Sequence, residues 1–143
     1  MSDDVLIDAG PLVALLDRTD DWHRVCLESL QTLTHPLVTV WPVLAEASYL
    51  LRALDQAPLR LLHWVQQGSI RLAPLDRDDV PRIRELMAKY HDLPMDLADA
   101  AIVRVAERER INRVFTVDQK DFRIYRPTGI GHFLLLPTAI APA

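Results

Sequence analysis

The sequence contains one cysteine, Cys26, among 143 residues. That excludes an internal disulfide and any zinc site built on several thiolates. Cys26 lies between Val25 and Leu27 in a helix-like stretch, so packing is preferred over a nucleophilic role. No apolar run reaches the roughly 18–20 residues of a membrane span. The start, Met1-Ser2-Asp3-Asp4, is acidic where a secretory signal is basic. The expected location is therefore the cytoplasm, with no membrane partner. Repeats and low-complexity segments are also lacking. So is an excess of positive charge, since the net charge is −4. This speaks against a passive nucleic-acid binder with a basic surface. It speaks less against a metal-dependent nuclease, in which acids hold cations and cations meet phosphates. What is present suits a globular chain: half the residues are hydrophobic and a quarter are charged. The length suits one compact domain, residues 1–143.

Short apolar runs alternate with helical patterns along the chain. Val5–Ile7 reads as a strand that ends at Asp8-Ala9-Gly10-Pro11, with Pro11 opening a helix to Leu16. A helix is expected from about Trp22 to Leu33, behind caps at Thr19-Asp20-Asp21. Leu37–Thr39 is a second strand. Pro42 starts a helix to about Leu54. Pro58 starts another to about Gln67, stopped by Gly68. Ile70–Leu72 is a third strand. Val80, Ile83, Met87 and Tyr90 recur at helical spacing across 78–90, and a further helix spans about Leu97 to Arg110. Val114–Val117 and Phe133–Leu136 complete the strands. The Pro137–Ala143 tail is apolar and is expected to pack on the body or on a second subunit. Alternating strands and helices imply an α/β fold with a parallel sheet covered on both faces. Such sheets bind ligands beyond the C-terminal strand ends, where the strand order reverses.

Four acids stand out against that frame: Asp8, Glu46, Asp99 and Asp118. Asp8 and Asp118 each follow a strand directly and share a rim if those strands are parallel neighbours. Glu46 precedes Leu50 by four residues, which places it with Val43, Ala47, Leu50, Leu51 and Leu54 on an apolar face. Asp99 lies three and four residues before Ile102 and Val103, on the buried stripe of its helix and near the helix N-terminus. Taken singly, Asp8 and Asp118 also read as turn residues, Asp99 as an N-terminal helix acid, and Glu46 as the partner of an arginine such as Arg52. Taken together, converging carboxylates repel and raise each other's pKa, and a hard cation such as Mg²⁺ or Mn²⁺ removes the conflict.

The stretches Val5-Leu6-Ile7-Asp8-Ala9-Gly10-Pro11-Leu12, Val43-Leu44-Ala45-Glu46, Met95-Asp96-Leu97-Ala98-Asp99-Ala100 and Thr116-Val117-Asp118-Gln119-Lys120-Asp121-Phe122 resemble the PIN-domain nucleases. They are most similar to the VapC toxins of bacterial type II toxin–antitoxin pairs. Each motif is short, but all four occur in order across nearly the whole chain. The resemblance implies a PIN-like (Rossmann-like) three-layer α/β/α sandwich with a central parallel sheet. It implies a Mg²⁺- or Mn²⁺-dependent endoribonuclease, homodimers, and neutralisation by a small VapB-like antitoxin. The family's acids fall on Asp8, Glu46, Asp99 and Asp118, with Asp96, Thr116 and Asp121 as accessory positions.

As a mechanism, the carboxylates hold metal on the scissile phosphate and water attacks it. Asp8 and Asp118 are assigned direct metal contact, with Asp99 sharing the metal or orienting the water. Glu46 binds through water or accepts the proton. Thr116 orients a neighbouring carboxylate. Lys120, Arg123 and Arg126 are either RNA-phosphate contacts or solvated surface charge. The histidines share no spacing and are assigned no chemistry. Trp22, Trp41 and Trp64 suit packing better than base stacking. One rival is a metal-dependent phosphatase of the haloacid-dehalogenase type, which carries a second acid where this chain has Gly10. Another is a response-regulator receiver, which gives Glu46 no role. A third is a catalytically weak interaction module acting in a toxin–antitoxin complex on DNA. The substrate RNA is not specified by any of these patterns.

Overall fold

A computed structural model describes residues 1–138. The expected tail from 137 onward therefore lies mostly outside the described residues. The chain forms β1 (Ser2–Ile7), α1 (Ala9–Leu16), α2 (His23–Thr32), β2 (Leu37–Thr39), α3 (Trp41–Leu50) and α4 (Ala57–Gln66). It continues with β3 (Ile70–Leu72), a 3-10 turn (Arg77–Asp79), α5 (Val80–Lys89), α6 (Leu97–Glu109), β4 (Ile111–Phe115), α7 (Gln119–Ile124) and β5 (Leu134–Leu136).

The five strands make one parallel sheet in the order β3-β2-β1-β4-β5. The chain builds outward from β1 through β2 to β3, then returns to place β4 on the other side of β1. The strand order thus reverses between β1 and β4, and a crevice opens beyond their C-terminal ends. Val5, Leu6 and Ile7 are fully buried, as a central strand covered on both faces requires. Register aligns Leu6 with Val114 and Ile7 with Phe115. Asp8 and Thr116 are therefore the next matched pair. The layers are those of the expected α/β/α sandwich.

Several boundaries differ from expectation. β4 begins at Ile111 and ends at Phe115. It starts directly behind Arg110, whose left-handed backbone (φ 57°) closes α6 without a loop. Asp118 is consequently the third residue beyond the strand, not directly after it. α3 stops at Leu50, and Leu51–Leu54 lie in turns. On α5 the buried residues are Ile83 and Leu86, followed by the cap residue Tyr90, while Val80 is exposed. The short helix α7 has no counterpart in the sequence reading, because six residues are too few to show a period.

Cys26 is buried, and burial pushes its thiol up to about 12. It is an inert packing group. Trp22 and Trp64 pack against the core, whereas Trp41 is exposed. Among the described residues, no helix is long and apolar enough to cross a membrane.

Ion pairs bind α6 to α5 and to the turn before it. Arg82 makes two 2.8 Å bonds to the carboxylate of Glu107. Arg104 and Arg108 reach Asp79 at 2.8 and 2.9 Å. Asp79 also closes a capping box by accepting from the Asp76 amide at 2.9 Å. These partners hold Asp79 and Glu107 below the usual carboxylate range, even though burial alone acts the other way.

Candidate functional site

Asp8 ends β1 and caps α1. Its Oδ1 accepts from the Ala9 amide at 2.8 Å, and its Oδ2 accepts from Thr116 Oγ1 at 3.0 Å. The Thr116 hydroxyl has one proton, given to Asp8, so its lone pair is free to accept from the Asp118 amide at 3.1 Å. Buried Thr116 therefore ties the loop behind β1 to the loop behind β4. Gly10 permits this approach, because a Cβ there would overlap the Val117 side chain.

Asp96 caps α6 and accepts from the Asp99 amide at 2.8 Å. Asp99 sits in the first turn and is buried. Its Oδ2 accepts from the Tyr125 hydroxyl at 2.8 Å. Asp8, Glu46, Asp96, Asp99 and Asp118 line one pocket of about 200 Å³ together with Gly10, Leu50 and Val117. Asp99, Asp118 and Asp121 are closer still. Each offers a carboxylate oxygen within 4.8 Å of the other two. Asp121 thus lies within ligand reach of the same point, alongside two of the four leading acids.

Glu46 is placed differently from the sequence expectation. The buried face of α3 is Val43, Leu44 and Ala47, continued by Leu51, while Leu50 is 54% exposed. At 100° per residue, Glu46 lies roughly 110° from the middle of that face. It borders the pocket from the solvent side and is not buried in the core. Among the described residues it has no arginine partner either, for Arg52 bonds the Tyr49 carbonyl at 2.8 Å and stacks on the Tyr49 ring.

Among the described residues, no ion pair involves any of these acids, although eight arginine–carboxylate pairs exist elsewhere. Electrostatics record the result. Burial, then the charges of Asp8 and Asp96, push Asp99 up to about 8. Burial raises Asp8 too, helped by Asp96 and Asp118 and opposed by its two hydrogen bonds. Glu46 is raised by partial burial and then by Asp8 and Asp96. Asp118 is raised by partial burial and then by Asp121 and Asp96. A pocket of oxygen donors that repel one another, with no nitrogen or sulfur donor among them, fits a hard divalent cation.

Of the three basic residues proposed near the site, Lys120 is exposed and its charge eases that of Asp118. Arg123 contacts Gln119 within α7 at 3.2 Å. Arg126 is occupied otherwise: its guanidinium bonds the carbonyls of Arg123, Ile124 and Tyr125 and closes the C-terminal end of α7. Tyr125 went unnoticed in the sequence. A single tyrosine seven residues after Asp118 carries no periodic signal, and only the fold returns it to α6.

Residues 5–126 match the PIN domain family. Over 135 residues the chain is 30% identical to Ribonuclease VapC26 of Mycobacterium tuberculosis (strain ATCC 25618 / H37Rv), covering 93% of this chain and all of that protein. In structure it is similar to VapC20 of M. tuberculosis, described as a Sarcin-Ricin loop cleaving toxin. The TM-score is 0.75 at 16% identity, over 81% of this chain and 91% of that one. It is also similar to a chain of VapBC2 from Rickettsia felis bound to a DNA fragment from its promoter. Here the TM-score is 0.63 at 15% identity, over 92% and 96% of the two chains. The last two likenesses concern the fold.

Proposed function

The chain belongs to the PIN-domain family, and on that premise we propose that it is a metal-dependent endoribonuclease, the toxin of a VapBC-type pair. One observation carries the reading: several carboxylates converge at the switch point of the sheet, and none has an ion-pair partner among the described residues. Buried like charges are costly unless the site has a use for them. The 30% identity to a named ribonuclease over almost the whole chain supports the choice of nuclease. Neither the phosphatase nor the receiver reading has comparable support.

Asp8, Asp99 and Asp118 are the residues assigned to hold Mg²⁺ or Mn²⁺, with Asp121 and Asp96 beside them. A divalent cation there supplies positive charge to the scissile phosphate and makes a water more acidic. The protein's own groups do the rest. Thr116 fixes the Asp8 carboxylate and the Asp118 backbone relative to each other. Glu46, on the solvent side with a raised pKa, is assigned to accept the proton of the attacking water. Lys120 and Arg123 follow Asp118 on α7 and are assigned to the RNA backbone.

The same reading treats the chain as a single cytoplasmic domain that forms homodimers and is neutralised by a small VapB-like antitoxin. The test is cleavage of RNA by the purified protein. Activity is expected with Mg²⁺ or Mn²⁺ and not in chelator. Undiminished cleavage in chelator would overturn the metal mechanism.

A further inference from the structure

One hydroxyl connects the two helices that carry the tight acidic group. Asp99 stands on α6, whereas Asp118 directly precedes α7 and Asp121 sits in its first turn. Tyr125 ends α7, and its amide bonds the Asp121 carbonyl at 3.2 Å. Its hydroxyl crosses to Asp99 Oδ2 at 2.8 Å. The residue is fully buried.

The ring has little freedom to deliver that hydroxyl elsewhere. It meets Tyr90 edge-on at 5.0 Å between centroids and Phe122 at 5.1 Å. Tyr90 is itself anchored, since its hydroxyl accepts from the Arg126 amide at 2.9 Å. A buried phenol with one proton, set against a carboxylate, donates to it. Oδ2 of Asp99 is thereby engaged, and Oδ1 is the oxygen left without a hydrogen bond among the described residues.

We propose that Tyr125 is a positioning residue: its hydroxyl sets the orientation of the Asp99 carboxylate, and the distance from Asp99 to Asp118 and Asp121, for divalent-metal binding. This rests on the metal-site reading above. Hydrogen bonds to a ligating carboxylate fix its direction, and losing one typically weakens metal binding roughly 10- to 100-fold.

The experiment measures Mn²⁺ binding by calorimetry, without RNA, in wild type, Tyr125→Phe and Tyr90→Phe. Tyr125→Phe keeps the ring and loses the hydroxyl, so its Mn²⁺ affinity is expected to fall roughly tenfold or more. Tyr90→Phe disturbs the same aromatic cluster but spares the bond to Asp99, so its affinity is expected to match wild type. Equal affinity in Tyr125→Phe and wild type overturns the proposal. So does an equal loss in both variants, which marks a packing effect. A wild type that binds no Mn²⁺ defeats the metal site itself, a distinguishable failure. A second measurement needs no Tyr125 variant. The sequence has three tyrosines, so wild type labelled with 3-fluorotyrosine gives three ¹⁹F resonances, with Tyr49 and Tyr90 assigned by substitution. Mg²⁺ is expected to shift the Tyr125 resonance and leave that of exposed Tyr49 in place. An unmoved Tyr125 resonance at saturating Mg²⁺ contradicts the proposal.

Discussion

The two ends of α6 treat acidic side chains in opposite ways. At the C-terminal end, Glu107 takes both arms of Arg82 at 2.8 Å, while Arg104 and Arg108 close on Asp79. At the N-terminal end, Asp96 and Asp99 face Asp8, Asp118 and Glu46 across a small pocket without an ion pair among the described residues. Burial raises the carboxyls of both sets, and it is the largest influence on Asp99. The partners decide the outcome. At Asp79 and Glu107 the arginines outweigh burial, and at Asp99 neighbouring carboxylates add to it. Paired acids hold elements together. Acids crowded against each other weaken the metal-free fold, and a bound cation reverses that.

The comparison breaks first on activity. Asp99→Asn keeps the side chain's shape and removes the ionisable carboxyl from the pocket. RNA cleavage is expected to fall on the order of a thousandfold, several kcal/mol of transition-state stabilisation. The metal-free protein should melt no lower than wild type. A variant that cleaves at the wild-type rate removes Asp99 from the site.

Asp79→Ala attacks the other end. It strands two arginines that still reach solvent, so the loss is expected near the lower limit for a broken buried pair, about 3 kcal/mol. For a chain of this size that is a melting temperature lower by roughly 10 °C. Mn²⁺ affinity should be unchanged. A variant with normal stability but lost metal binding would invert the assignment of the two ends.

Acidity then separates them within one protein. The Asp99 carboxyl titrates at about 8 in the fold against an ordinary 3.8. The folded form therefore binds the proton more tightly, and this contribution is present at low pH and lost as pH rises towards 8. Asp79 and Glu107 have depressed values. Their contribution is present above the ordinary carboxylate range and lost as pH falls through it. In chelator the melting temperature is expected to fall from pH 5 to pH 8, and Mn²⁺ should lessen that fall. A rising curve in chelator, with no response to Mn²⁺, argues against an unpaired cluster.

The smallest effect concerns the rim. If Lys120 meets an RNA phosphate, Lys120→Ala should weaken RNA binding a few-fold and lower the salt dependence by about one charge. An unchanged salt slope returns Lys120 to solvated surface.

The short run Ile70–Leu72 marked the strand β3, and periodicity found the helix α6 and the burial of Asp99, since a 13-residue helix shows its face clearly. It misplaced Glu46, because Leu50 and Leu54 are apolar yet exposed, and hydrophobicity does not reveal which apolar residues remain uncovered. It missed α7, and with it Tyr125. It also set β4 late, because Asn112 and Arg113 interrupt the apolar run although they lie within the strand.

Local sequence determined that this is an alternating α/β chain with acids behind its first and fourth strands, since strand length, helix period and caps are encoded by near neighbours. Only the tertiary structure decided that β1 and β4 are adjacent, that Thr116 links Asp8 to Asp118, and that Tyr125 returns to Asp99. Asp8 and Thr116 are 108 positions apart, and Asp99 and Tyr125 are 26 apart. Which distant segments meet is settled by how the sheet orders its strands to bury both faces, and a local pattern does not state that order.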